Sequence, residues 1–399
     1  MDQVLRSLGR NSITPHVLLP VTKLLALSLP PFKGRSSIFV PLIAALAFLS
    51  YMNMVTDDHA SRLGLVNQWW TFMATLEKLL FSNIEEDYHR IGRKKGEAAL
   101  MSFGLEKVQW ALSLLMSPRG VGWNFQVKGV PVVADKSLRT TKWRFLRLQI
   151  LRYIKYFVIT DLIHVYASRN MYETGVELEF LTVRSSTWTR SFLNAAFSGL
   201  KIYFPLQLAC TMGSIISVFT GLYEPQDWPP LFGKLKDVTT IRWFWGNFWH
   251  QMMRKMFTGY GQALLRTLRI PRGTNLSSYT QLYVSFAISG VFHALMTYNM
   301  PGISSLPFED SFMLAFKFFA LQAMGIQFED TVLAICRRLR LMPESENLSF
   351  GRYFGYLWVM SWFWFSLGWG GEALLKSGIM GVNDVPVPIA GKLLSIFNL

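Results

Sequence analysis

The sequence predicts an all-α, polytopic membrane protein with roughly seven to nine transmembrane helices. Composition is the first reason. Hydrophobic residues make up 51% of the 399 and charged residues 16%, and mean hydropathy is +0.25. A soluble domain carries about 25% charged residues. Patterning is the second reason: the apolar residues gather into long stretches with few charges or none, and a spanning helix needs about 20 mostly apolar residues. The third is where the charge falls. The chain carries a formal net charge of +15, and its Lys and Arg collect between the apolar stretches, as they do in cytosolic loops facing anionic lipid.

Taken in order, the first thirty-five residues place Arg6, Arg10, Lys23, Lys33 and Arg35 around an apolar stretch. This resembles a signal peptide only loosely. Lys23 and Pro20 interrupt it and no small-residue cleavage pattern follows, so the segment is expected to stay on the mature protein. Residues 36–55 are uncharged and long enough to span, as are 202–223, where Pro205 near the start is tolerable. The stretch 279–297 is uncharged apart from one histidine, and 311–328 contains a single lysine, Lys317. Residues 353–367 run on into Gly368-Trp-Gly-Gly. Four further candidates, 17–30, 65–81, 98–116 and 150–167, carry internal charges such as Glu77 with Lys78 and Glu106 with Lys107. These suit tilted, buried or interfacial helices.

The connections assign sides. Residues 254–272 are basic without acids, 337–352 are basic with two glutamates, and 298–310 carry only Glu309 and Asp310. The positive-inside rule puts the first two in the cytosol and the third on the far side. Two spans between the basic connections agree with that. Residues 128–155 are strongly basic, with Asp135 their only acid, and the side assignments of the N-terminal half stay open. Asn275-Leu-Ser and Asn347-Leu-Ser fall on the cytosolic side and are expected to be unglycosylated. With no internal repeat and no soluble domain, residues 1–399 read as one integral-membrane domain with its chemistry-bearing motifs in 242–297.

The excess of cations does not point to nucleic acid, because the Trp and Phe residues sit in apolar runs rather than between basic residues. Cys210 and Cys336 lie in or beside apolar runs, which argues against a disulfide framework and against a zinc cluster. The six histidines, at 16, 59, 89, 164, 250 and 293, form no metal-ligand spacing. Gly259-Tyr-Gly261 and Gly120-Val-Gly122 lack the third glycine of a dinucleotide loop.

Two places carry candidate chemistry. In the first, Ser285, Ser289, His293 and Thr297 recur every four residues, a polar stripe on an otherwise apolar helix. A buried imidazole is costly unless partnered, and burial favours the neutral form that accepts a proton. The alternative is a structural histidine bonded to a neighbouring helix. In the second, Arg242-Trp-Phe-Trp-Gly-Asn-Phe-Trp-His250-Gln-Met-Met-Arg254 is expected to be helical, with Arg242, Gly246, His250 and Arg254 on one face. The alternative there is an interfacial helix with an aromatic anchor.

Phe244-Trp-Gly-Asn-Phe-Trp-His250, followed some forty residues later by Ser289-Gly-Val-Phe-His293, resembles the wax synthase-like branch of the membrane-bound O-acyltransferases. Arg119-Gly-Val-Gly-Trp123 is similar to an upstream segment of fungal members. The resemblance implies transfer of an acyl group from acyl-CoA to an alcohol, with no metal or prosthetic group. It places His293 at the catalytic histidine and His250 at a second active-site position that is Asn or His in the family. Asn247 departs from the arginine usual at its position, and Arg242 or Arg254 would take over that contact with the cosubstrate. Arg266, Arg269 and Arg272 would meet the CoA phosphates, and Ser285, Ser289 and Thr297 would line the acceptor pocket. The style of the motifs is similar to fungal enzymes that acetylate lipophilic terpenoids or meroterpenoids, with acetyl-CoA as cosubstrate and the endoplasmic reticulum as location. A wax synthase joining long-chain acyl-CoA to a fatty alcohol would use the same motifs. A transporter and a non-catalytic membrane scaffold are the readings from other classes.

Overall fold

The computed structural model describes residues 13–56, 58–66, 69–132, 141–172, 177, 181–185, 187–300, 307–340, 349–385 and 387–391. Arg6, Arg10 and Asn347 lie outside them, as do parts of the connections 128–155, 298–310 and 337–352. Among the described residues the chain is helical. An isolated antiparallel bridge between Arg90 and Trp123 accompanies the helices. The helices of eight residues or more are α1 (Thr14–Ser28), α2 (Arg35–Met52), α3 (His59–Val66), α4 (Trp69–Phe81), α5 (Leu105–Leu115), α6 (Lys142–Asn170), α7 (Trp188–Thr220), α8 (Arg254–Thr267), α9 (Asn275–Tyr298), α10 (Phe308–Arg338) and α11 (Ser349–Lys376).

Of the expected spans, α2, α7 and α10 are long and apolar enough to cross a membrane. Each exposes large apolar side chains: Ile38 and Phe48 on α2, Ile216 and Phe219 on α7, Met324 and Phe328 on α10. A soluble core would cover these; lipid need not. Helices α9 and α11 are long enough at 24 and 28 residues. Their Ser, Thr and His, and their Trp, Tyr and Gly, dilute the apolar content. The stretches 65–81 and 98–116 do not form spans. The first is divided between α3 and α4, of 8 and 13 residues. The second is divided between a 3₁₀ turn at Glu97–Leu100 and α5, of 11 residues. At 1.5 Å per residue even α4 falls well short of a bilayer core about 30 Å thick. Helix α1, at 15 residues, is also too short. Helix α6 has the length, with 29 residues, but its cations keep it from being apolar enough.

The chain forms two compact units, one of residues 1–128 with 252–288, the other of 129–251 with 289–399. In the first, α1 packs on α2 and α5, α2 on α4, and α4 on α8. Its core holds Leu27, Ile43, Leu76, Ile84, Leu114 and Trp123 among others. The Arg119-Gly-Val-Gly-Trp123 segment is a tight loop of this unit. Gly120 and Gly122 have φ of +63° and +73°, values other residues reach at a steric cost. A Cβ on Gly120 would also stand 2.7 Å from the Phe125 ring. The turn delivers Trp123 into the core at 1% exposure, where the Arg90 guanidinium lies over its ring. This gives the motif a folding role.

In the second unit α6 runs along α7, and α11 packs on both α7 and α10. Helix α7 ends at Gly221, φ +79°, with the Leu222 amide bonded to the Ser217 carbonyl, a left-handed cap that absorbs the last carbonyls. Helix α10 begins with Glu309 and Asp310 and ends with Arg337 and Arg338, charges that match the helix dipole at both ends.

Candidate active site

The pieces described next, up to the basic side chains, belong to the second unit, except Ser285 and Gln281, which lie in the part of α9 that belongs to the first. The 241–250 segment is not the continuous helix expected. Ile241–Trp243 forms one helical turn, Phe244–Phe248 is π-helical, and Trp249 is extended at φ −67°, ψ 150°. The wide turn closes through the Trp249 amide, which donates to the Phe244 carbonyl at 2.7 Å. Such π segments are frequently found at functional sites. Arg242, Gly246, His250 and Arg254 therefore do not share one helix face. The break at Trp249 ends the first helix, and α8 begins afresh at Arg254.

Helix α10 holds this irregular segment in place. Glu329, 5% exposed, accepts from the backbone amides of Ile241 at 2.7 Å and Arg242 at 3.2 Å, and from the Trp358 indole at 2.9 Å. The carboxylate thus supplies the first turn with acceptors its own chain cannot offer. The next residue, Asp330, takes the Arg242 guanidinium on both oxygens. Gln322, fully buried, accepts from the Trp245 indole at 3.2 Å and the Trp362 indole at 3.1 Å. On the other side Gly233 lets its backbone close onto Phe248, with the Gly233 amide donating to the Phe248 carbonyl at 2.8 Å. A Cβ there would stand 3.0 Å from Phe248 Cα.

His293 sits on α9, with Ser285, Ser289 and Thr297 each a multiple of four residues away. The stripe bonds along its own helix. Ser285 donates to the Gln281 carbonyl at 2.7 Å and Thr297 to the His293 carbonyl at 3.0 Å. His293 Nδ1 lies 2.8 Å from the Ser289 carbonyl oxygen. A carbonyl only accepts, so Nδ1 carries the proton and Nε2 keeps the lone pair. The imidazole stacks on Phe319 of α10 at 4.4 Å and 30°. Gly290 makes this approach possible: a Cβ there would stand 2.9 Å from the Phe316 ring and 3.3 Å from Phe319 Cβ.

Ring contacts connect the two histidines. His250 touches Trp249 at 5.4 Å, Trp249 meets Trp245 at 5.9 Å, Trp245 meets Phe319 at 6.3 Å, and Phe319 stacks on His293. The His250 ring also meets the edge of Phe232 at 6.1 Å. Two motifs some forty residues apart are thus tied to one helix, α10. The sequence reading missed Phe319, Gln322 and Glu329. The available signal was Gln322 and Glu329 seven residues apart in an apolar run, which is one helix face.

The basic side chains divide. Arg242 is held by Asp330 in the second unit. In the first, Arg254 donates to the Lys128 carbonyl at 3.1 Å, and burial lowers its guanidinium below the usual arginine value. Arg266 lines a cleft in the first unit with Lys255 and Glu77. Arg269 and Arg272 are exposed beyond the end of α8, and Arg269 takes φ +54° as the chain turns. Asn247 lies in the π segment, its carbonyl facing Gly233.

Comparison with known proteins supplies the family. The model of the membrane-bound O-acyl transferase family matches residues 228–321. The C-terminal domain of aspirochlorine biosynthesis protein F matches 141–219. Acetyltransferase ple2 of Rhodocybe pseudopiperita is 30% identical over 371 residues, covering 92% of each chain. Acetyltransferase eriL of Hericium erinaceus is 27% identical over 90% of each. Acetyltransferase TRI7 of Fusarium sporotrichioides is 29% identical over 66% of this chain and 63% of its own. No solved structure matches the chain. The π segment and the start of α10 through Leu321 fall inside the matched family region, as does His293, and the similarity to ple2 extends over nearly the whole length; the chain belongs to the membrane-bound O-acyltransferase family and is an acyltransferase.

Proposed function

We propose that the chain is a multi-pass O-acetyltransferase that moves acetyl from acetyl-CoA onto a hydroxyl of a lipophilic terpenoid or meroterpenoid in fungal secondary-metabolite biosynthesis. The relatives named acetyltransferase support the acetyl donor. The observation that carries the chemistry is the bond between His293 Nδ1 and the Ser289 carbonyl, which leaves Nε2 as a proton acceptor inside an apolar helix.

In this reading His293 is the general base. Nε2 takes the acceptor's hydroxyl proton as the alkoxide oxygen attacks the thioester carbonyl. The C–S bond then breaks, and the CoA thiolate recovers the proton from the imidazolium. His250 donates a hydrogen bond to the donor carbonyl and to the oxyanion that develops on it. The π segment gives it a fixed position. Ser285, Ser289 and Thr297 line the acceptor side, and a polycyclic alcohol enters laterally from the bilayer into a pocket of mostly apolar side chains. The donor's phosphates meet the exposed Arg266, Arg269 and Arg272. Arg242 and Arg254, already held by Asp330 and Lys128, shape the donor side rather than bind phosphate. No arginine stands at Asn247, so its amide is the group left to contact the donor there. Residues 1–399 act as one catalytic domain, in the endoplasmic reticulum membrane.

The test is turnover of acetyl-CoA and of palmitoyl-CoA by the purified protein, each with a terpenoid alcohol and with hexadecanol. Acetyl-CoA with the terpenoid alcohol is the expected pair. Preference for palmitoyl-CoA with hexadecanol makes the enzyme a wax synthase.

A further inference from the structure

Helix α7 carries a polar stripe that the acyl-transfer chemistry leaves unused. Tyr203, Gln207, Cys210, Ser214 and Ser217 recur at intervals of four and three residues. They share one face of a helix long and apolar enough to cross a membrane. The serines bond within their own helix: Ser214 donates to the Thr211 carbonyl at 2.7 Å and Ser217 to the Ser214 carbonyl at 3.3 Å. Tyr203 and Gln207 instead bond to each other, with Gln207 Nε2 donating to the phenol oxygen at 3.0 Å. That bond leaves the phenol O–H still to donate and Gln207 Oε1 still to accept. Both side chains are half-buried, and Gln207 Oε1 keeps accessible surface. Polar groups left over in the middle of a spanning helix are costly, which makes them candidates for a role in binding.

The pair stands beside one of the two histidines. The Tyr203 ring lies 4.3 Å from Phe232 and stacks parallel to Phe248 at 6.1 Å. Phe232 in turn meets the His250 ring at 6.1 Å. Next along α7, Phe204 meets Tyr156 of α6 at 6.0 Å. All of these residues belong to the second unit. One donor and one acceptor thus sit among ring faces, a single ring away from His250. Flat apolar walls with a few polar groups suit a rigid polycycle that carries an oxygen. The pantetheine arm of CoA suits them less, because it is flexible and its two separated amides need partners spread along its length. Among the described residues Tyr203 makes no ring contact with His293, whose ring stacks on Phe319. An oxygen held at Tyr203 therefore belongs to a different ring of the skeleton from the hydroxyl that reaches His293.

Resting on the acetyltransferase reading above, we propose that Tyr203 and Gln207 hold a second oxygen function of the acceptor. The Tyr203 phenol donates to a ketone or hydroxyl oxygen, and Gln207 Oε1 accepts from a hydroxyl. The pair selects polycyclic alcohols that are oxygenated on a remote ring, and it fixes which hydroxyl is acetylated.

The experiment measures acetyl transfer from acetyl-CoA by the purified full chain to two pairs of alcohols, each pair sharing one skeleton. Epiandrosterone, with a ketone remote from its hydroxyl, is set against its deoxo counterpart. Betulin, with a second hydroxyl, is set against lupeol. The wild type should prefer the doubly oxygenated member of each pair by about tenfold in kcat/KM. Tyr203→Phe keeps the ring contacts and removes the phenol, and should erase the preference in the ketone pair. Gln207→Leu should erase it in the betulin pair. Both replacements are near in shape and apolar, and each variant decides for its own pair if the other does not fold. Both should raise KM for the acceptor and not for acetyl-CoA. Equal kcat/KM within both pairs, or wild-type preferences in both variants, overturns the proposal. So does a rise confined to the acetyl-CoA KM, which makes the pair part of the donor site. Turnover of none of the four alcohols removes the polycyclic-acceptor reading and this proposal with it, whereas equal turnover within the pairs removes this proposal alone.

Discussion

Glu329 accepts a hydrogen bond from the backbone amide of Ile241 at 2.7 Å. Eighty-eight residues apart, these two groups join the helix that stacks on His293 to the segment that ends at His250. Removing the carboxylate leaves the amides of Ile241 and Arg242 and the Trp358 indole without it. Each buried donor orphaned costs about 1–3 kcal/mol. Glu329→Ala is expected to lower Tm by several degrees and to reduce turnover. Glu329→Gln keeps one acceptor oxygen and should recover part of both. Differential scanning fluorimetry beside CoA-thiol release checks this; an unchanged Tm for the alanine variant removes the anchoring role.

His293→Ala should abolish acyl transfer while the protein still inserts and melts cooperatively. Positioned acid–base groups contribute about 10²–10⁴-fold. Release of CoA thiol at more than a few per cent of the normal rate would take away its role as base.

His250→Asn should keep part of the activity, because an amide still donates a hydrogen bond, and His250→Ala should lose considerably more. An oxyanion donor is worth about 10²–10³ in kcat. If kcat for the two variants is equal, His250 is an aromatic-flanked anchor and no more.

Gly290→Ala tests the stacking of Phe319 on His293. The new methyl meets the Phe316 ring at 2.9 Å and must displace it or Phe319. Overpacking costs about 1–3 kcal/mol, and the better helix propensity of alanine returns about 1. A modest fall in Tm with a disproportionate fall in kcat is the expected pattern. Full activity would show that the imidazole does not depend on this face of α10.

Acid stability should depend on Glu85. Burial raises its value, but the hydrogen bonds and charge of Arg35, with Lys107 beyond, outweigh that and hold it below the usual glutamate range. A carboxylate depressed in the folded state contributes stability that is complete above its unfolded value, about 4.3, and lost as pH falls through the folded value. Tm of the wild type should therefore exceed that of Glu85→Gln above the unfolded value, and the two should converge as pH falls through the folded one. Parallel Tm curves across that range would exclude the linkage.

Composition and the length of apolar runs determined that the chain is helical and built for a membrane, because burial in lipid demands long uncharged segments whose backbone bonds close internally. The i, i+4 stripe around His293 was legible for the same reason: helical periodicity is local. The motif spacing pointed to the family. What the sequence did not disclose is the path from Ile241 to His250. Local periodicity favoured an unbroken helix there, and the π turn forms instead because Glu329, Gln322 and Gly233 supply partners from distant parts of the chain. The tertiary structure also decided which cations are free. Arg242 and Arg254 look alike in a basic stretch, yet one is taken by Asp330 and the other by the Lys128 carbonyl. Contacts between residues far apart in the chain leave no periodic trace in the sequence, and here they place the groups on which the proposed chemistry depends.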